Sequence, residues 1–163
     1  MNRFLLVLLL CTLASCSRKS ESQLFHEGAA AEGQKDMATA LERYGEAVEK
    51  FPTTAYAESS LYRTAMIHMN AGGDKHPAVA AELKFCSLFP KSGNAPSMLF
   101  LAAFTYNNDL RNVDSARILY RQFLEKYPGN ELAKSAQFEL ETLGKSPDEY
   151  LRTRADTSAV TPK

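Results

Sequence analysis

One thirteen-residue pattern returns three times along this chain at a fixed spacing. The first copy is Ala40-Leu-Glu-Arg-Tyr44-Gly-Glu-Ala47-Val-Glu-Lys-Phe51-Pro52. Thirty-eight residues on comes Ala78-Val-Ala-Ala-Glu82-Leu-Lys-Phe85-Cys-Ser-Leu-Phe89-Pro90, and another 38 on Ala116-Arg-Ile-Leu-Tyr120-Arg-Gln-Phe123-Leu-Glu-Lys-Tyr127-Pro128. Self-similarity at such a period marks a stacked array of small supersecondary units. Each copy has a small alanine, apolar residues at helical spacing, and an aromatic-proline pair. Proline lacks a backbone N–H and clashes with the preceding turn, so it stops the helix at the same point each time.

A second helix precedes each copy. Leu24, Leu61 and Leu99 share one phase, and four residues after each comes Gly28, Ala65 or Ala103. Positions four apart lie on one helix face, and a small residue there lets a neighbouring helix approach closely. Asp36, Asp74 and Asn112 recur at the start of the second helices, where Asx side chains accept orphan N–H groups, and Pro77 suits a first turn. Asn130 to Leu143 reads as a last, unpaired helix with Leu132, Ala136, Leu140 and Leu143 on one stripe, ending at Gly144. It is expected to cap the open end of the stack.

The N-terminus reads as a targeting segment. Arg3 is followed by an unbroken apolar run, Phe4 to Leu10, too short to span a bilayer as a structural helix. Leu13-Ala14-Ser15-Cys16 then resembles the bacterial lipobox, which implies cleavage before Cys16 and acylation of that residue. Several acyl chains together hold a protein on a membrane without a spanning helix. By resemblance to lipoprotein sorting, the absence of Asp at position 17 points to the outer membrane. The expected division is therefore 1–15 signal peptide, 16–22 lipidated cysteine and polar tether, 23–144 helical domain, and 145–163 disordered tail. That tail contains Pro147 and Pro162 and little apolar content. Tyr150-Leu151 within it reads as solvated, with a docking peptide as the alternative.

Composition excludes several classes. Nineteen basic residues balance 19 acidic ones, so no basic face advertises nucleic acid. Of three cysteines, Cys11 leaves with the signal and Cys16 takes lipid. Cys86 then has no disulfide partner and falls in phase with Val48 and Leu124, as a small buried apolar group would. His26, His68 and His76 form no ligand spacing, and no phosphate-binding glycine loop, nucleophile elbow or paired-carboxylate motif is present. We expect no enzyme, no cofactor, no metal and no small-molecule substrate.

The residues Leu24–Gly28–Ala31 with Ala40–Tyr44–Ala47–Pro52, and their two later counterparts, resemble tetratricopeptide repeats (TPRs). The likeness covers about residues 23–143. It departs from the family pattern where Glu82 replaces an aromatic, where Phe85 and Phe123 replace small residues, and where the period is 38 instead of 34. The added Thr53-Thr-Ala-Tyr-Ala and Lys91-Ser-Gly-Asn-Ala are expected to lengthen the following helices by about one turn. The implied fold is all-α: a right-handed α–α superhelix of three TPR-like helix pairs plus a C-terminal capping helix. Longer repeats with aromatic-proline stops are similar to those of envelope TPR proteins, such as the barrel-assembly lipoprotein BamD and the periplasmic coordinator of the Tol-Pal system. The resemblance implies a non-catalytic scaffold, anchored to the outer membrane and facing the periplasm. Its partners would be other envelope proteins, foremost the barrel-assembly machinery. A Tol-Pal or cell-wall scaffold is the alternative, and a nutrient-binding surface lipoprotein a more distant one.

In TPR arrays the first helices line a concave groove. By that resemblance the groove positions here are Phe25, Tyr62, Phe100 and Phe138, with Met66 and Phe104 at the next groove-facing position. Such a ladder suits an extended apolar peptide or a partner's helix. The competing expectation is that these rings pack between helices as core.

Overall fold

The computed structural model describes residues 18–145, 148–150 and 152. The apolar leader, Cys16 and most of the C-terminal tail lie outside the described residues. Antiparallel helices follow one another as α1 (Glu21–Gly33), α2 (Met37–Lys50), α3 (Ala55–Asn70), α4 (His76–Leu88), α5 (Ala95–Asn108), α6 (Val113–Lys126) and α7 (Ala133–Thr142). Residues 148–150 and 152 are helical as well, inside the stretch expected to be disordered. Each helix from α1 to α7 packs on the next, and α1 also reaches α3, the first helix of the following pair. The architecture is the expected all-α superhelix of helical hairpins with no strand among the described residues.

The aromatic-proline stop works identically in all three repeats. Phe51, Phe89 and Tyr127 leave the helical region with φ between −124° and −136° and ψ between 50° and 55°. Their N–H groups still donate to the carbonyls of Ala47, Phe85 and Phe123, at 3.0, 2.8 and 2.8 Å. The following proline disfavours helical backbone at the residue before it, which is why the helix ends there.

Helix starts follow local chemistry. Ser20 Oγ accepts from the Gln23 N–H at 3.2 Å while Gln23 Oε1 accepts from the Ser20 N–H at 2.9 Å, a reciprocal capping box. Asp36 and Asn112 cap α2 and α6 by accepting from the N–H groups of Thr39 (3.1 Å) and Ser115 (3.0 Å). Asp74 holds the same repeat position but does not cap its helix this way. The donor three residues on would be Pro77, which has no N–H, so Asp74 Oδ1 accepts from the His76 N–H at 3.0 Å and meets its ring nitrogen at 2.6 Å. Lys75 becomes the helix boundary.

Two element boundaries differ from expectation. α3 begins with Thr54 as cap, its Oγ1 accepting from the Ala57 N–H at 3.2 Å, and runs 16 residues against 13 in α1. α5 gains almost nothing at 14 residues, because Ser92–Asn94 is spent on turns bonded to Phe89 O and Ser92 Oγ. The inserted turn of helix is therefore present in α3 only. The final helix starts at Ala133, three residues later than expected. The Tyr127 carbonyl accepts from the Asn130 N–H (3.0 Å) and Asn130 Oδ1 accepts from the Leu132 N–H (2.9 Å), holding 130–132 in a turn. Its C-terminal side turns at Gly144, whose φ of +77° belongs to the left-handed region that glycine enters without a Cβ penalty.

The core divides into clusters along the hairpins. Leu24, Leu61 and Leu99 are buried, as are Gly28, Ala65 and Ala103, and around them close Tyr44, Phe85, Tyr120 and Phe123, all fully buried. Phe85 and Phe123, which depart from the usual repeat pattern, are thus principal core side chains. Glu82, the other departure, is fully buried too.

Candidate functional site

The six groove candidates divide by environment. Phe25, Tyr62, Met66 and Phe100 are half-buried, whereas Phe104 is 37% and Phe138 51% exposed. The half-buried rings each rest on an aromatic of the next helix. Phe25 lies 5.8 Å from Tyr44, Tyr62 6.4 Å from Phe85, and Phe100 5.6 Å from Tyr120 and 5.9 Å from Phe123, between ring centroids. Edge-to-face and tilted pairs at these separations are favourable beyond their buried area. These rungs therefore serve the core on one side and present an edge on the other. Phe104 stacks on Phe100 with centroids 6.5 Å apart and planes at 19°, and carries the apolar surface outward.

Phe25 and Tyr62 share a cleft of about 230 Å³ with Glu58, Ser59, Arg63 and Asn94. Two aromatic and four polar side chains thus share its lining. Tyr56 adds a further ring against Phe25 at 5.5 Å. Glu58 accepts from the Ser92 hydroxyl at 2.6 Å, and Arg63 bonds Glu32 at 3.3 Å. Arg63 directly follows Tyr62 and Asn94 precedes α5. Neither was singled out by the sequence, since isolated polar residues in a repeat carry no periodic signal.

Met66 lies in a different recess, of about 310 Å³, with Met37, Leu41, Ile67, His68 and Glu32 among its lining residues. The structure thus brings Phe25 and Tyr62 together, and Phe100 and Phe104 together, but places Met66 in a separate cleft. Phe138 stands on α7, where its ring meets Tyr150.

Ionisable groups show one pronounced anomaly. Both Glu82 carboxylate oxygens are buried without a hydrogen-bond partner. Burial, then the nearby Asp109 charge, pushes its carboxyl up to about 7. Burial likewise lifts the Cys86 thiol to about 11, which leaves it protonated, and its Sγ donates to the Ala95 carbonyl at 3.5 Å. His76 pairs with Asp74 at an exposed helix start. Among the described residues no group of three or more His, Cys, Asp or Glu is placed to hold a metal ion. Nor is any helix among them long and apolar enough to cross a membrane.

Stacked hairpins with half-open rings at fixed repeat positions define a helical-repeat protein. The sequence family described as outer membrane lipoprotein (YfiO) matches residues 17–146, and the chain belongs to it. No curated protein matches the chain.

Proposed function

We propose that this chain is a non-catalytic scaffold, acylated at Cys16 and held on the periplasmic face of the outer membrane, which serves BamD-like in outer-membrane protein assembly. The observation that carries the reading is the family match over residues 17–146, directly following a lipobox that ends at Cys16. The half-open rings Phe25, Tyr62, Phe100 and Phe104, with Phe138 at the end, are the surface we assign to partner contact. Met66 joins that assignment as part of its own recess.

Phe104 is the cleanest probe, because its ring faces outward whereas Phe100 also packs on Tyr120 and Phe123. The test is a pull-down of the mature chain from membranes beside Phe104→Glu, with helical circular dichroism as the control on folding. Barrel-assembly proteins are expected with the parent chain. Phe104→Glu is expected to lose about 2 kcal/mol, about thirtyfold in affinity, as a buried interface aromatic does. Recovery of Tol-Pal or cell-wall proteins instead overturns the assembly role. Cys16→Ala is expected to abolish acyl labelling and release the chain from membranes.

A further inference from the structure

Two of the core clusters meet along α4. Ala81 and Phe85 belong to one, with Leu61, Ala65 and Met98, whereas Val79 belongs to the other, with Leu99, Ala103 and Tyr120. Leu83 packs against the second cluster and Cys86 against both. At about 100° per residue, Glu82 lies on α4 between the face of Ala81 and Phe85 and the face of Val79 and Leu83. It is fully buried there, and neither carboxylate oxygen has a hydrogen-bond partner. The same seam divides the aromatic ladder, since Tyr62 packs against the first cluster and Phe100 against the second.

The groups around the seam do not offset a charge. The Asp109 carboxylate, which ends α5, opposes ionisation of Glu82. On α4 the Cys86 thiol stays protonated, and Lys126 of α6 acts on that thiol and not on Glu82. Lys84 is exposed, and Lys75 Nζ donates to the Met69 and Ala71 carbonyls at 2.6 Å each. His68 of α3 lines the recess with Met37 and Leu41 instead.

We propose that Glu82 makes this seam a pH-operated joint. Protonated, it lets the two clusters close on α4 and holds the Tyr62 and Phe100 rungs in one line. Ionised, it opens the joint locally, so that water reaches the carboxylate and the two halves of the ladder part. A buried charge without a partner is relieved by exposure, and parting one interface exposes it with less loss than unfolding every helix. That the opening weakens partner contact rests on the groove assignment above, whereas the joint itself does not.

In a chain that begins at residue 16 and carries Cys16→Ala, Cys86 at the seam is the single thiol. Its rate of labelling by a thiol reagent, divided by the rate for the denatured chain at the same pH, reads the open fraction. That ratio should rise about 70-fold from pH 5 to pH 8, since the closed carboxyl titrates at about 7 and the exposed one at 4.5. It should stay constant in dilute urea, because local opening exposes little surface. Glu82→Gln should remove the pH dependence, and Glu82→Met serves the same end should the buried amide impair folding. A ratio independent of pH, a rise that persists in both variants, or one that climbs with urea as global unfolding does, overturns the joint. Capture of membrane partners should fall over the same range, and equal capture at both pH values by a chain whose Cys86 responds breaks the link to the groove. A responsive thiol in a chain that captures no envelope partner sinks the assembly role and leaves the joint standing.

Discussion

The first and middle hairpins fill one repeat position with opposite chemistry. In the first, Tyr44 is fully buried, and its hydroxyl donates to Glu32 Oε2 at 2.8 Å at the end of α1. Glu32 is in turn tied to Arg63 of α3, so the pair links two successive units. The middle hairpin puts Glu82 where Tyr44 stands and Met69 where Glu32 stands. A thioether donates no hydrogen bond, and the Met69 sulfur already faces the Thr105 hydroxyl at 3.5 Å. Glu82 is left buried and unpartnered. The third copy restores the ring with Tyr120 but not the acceptor, and its hydroxyl is buried without a partner. The backbone is alike in all three, so shape and apolar burial set the repeat, while polar satisfaction varies unit by unit. An array whose stability is a sum over neighbouring interfaces tolerates such poorly satisfied units.

The largest break in that comparison is expected from removing the good version. Tyr44→Ala deletes a fully buried ring and takes from Glu32 one of its two partners, and should cost about 3–5 kcal/mol in chemical denaturation. A loss under about 1 kcal/mol would show that the first hairpin contributes little to the cooperative unit. Glu82 comes next. Its folded carboxyl sits at about 7 against an ordinary 4.5, so the folded state holds a proton that the unfolded chain has released. Its contribution to stability should therefore be full below pH 4.5, fall as pH rises to about 7, and level off above it, by about 3 kcal/mol in all. Asp36, Asp74 and Glu46, lowered by their hydrogen bonds, act with the opposite sign but at more acid pH. Glu82→Gln should flatten the slope between pH 4.5 and 7. If the slope persists in that variant, Glu82 is not its source.

Much of this architecture could be read directly from the residues. The 38-residue period gave helix order, pairing and the aromatic-proline stops, because each rests on steric rules that act within a few residues. The match of Leu24, Leu61 and Leu99 to buried positions follows from the same periodicity. What escaped was decided by a single neighbour at long range or by one missing atom. Asp74 looks like a cap until Pro77 is seen to lack the N–H it would bind. Glu82 looks like one substitution in a pattern until its surroundings prove to hold no donor. The aromatic ladder gave its rungs but not their division, since ring exposure depends on which helix lies opposite. Phe25 and Phe100 lean on second-helix rings, whereas Phe104 does not. The contact of Phe138 with Tyr150 carries no periodic signal at all.

A smaller effect separates the first hairpin from the third. An added Cβ at Gly28 would stand 2.7 Å from Tyr44 Cε1, whereas Ala103 already places a methyl in the same phase beside Tyr120. Because Tyr44 is enclosed and hydrogen-bonded, the ring has little freedom to retreat. Gly28→Ala should destabilise by about 1–3 kcal/mol, as overpacking does. The penalty should vanish in a Tyr44→Leu background, and a penalty that survives there would point to the helix backbone and not the ring.

The smallest effect concerns the turns between paired helices. Lys35, Gly73 and Arg111 occupy one position, 38 residues apart, and all three are left-handed, at φ of 63°, 87° and 53°. The hairpin turn therefore demands that conformation whatever residue supplies it, and only the middle unit supplies glycine. A side chain there costs about 1–2 kcal/mol relative to glycine, partly offset by glycine's larger loss of freedom on folding. Lys35→Gly and Arg111→Gly should each raise stability by about 1 kcal/mol, about 3 °C in melting temperature for a domain of this size. Gly73→Ala should lower it by a similar amount. The three together form a closed test, because the same turn is approached from both directions. If Lys35→Gly stabilises but Arg111→Gly does not, the first and third turns are not equivalent. The equivalence drawn from their shared φ would then hold for backbone geometry without holding for energy.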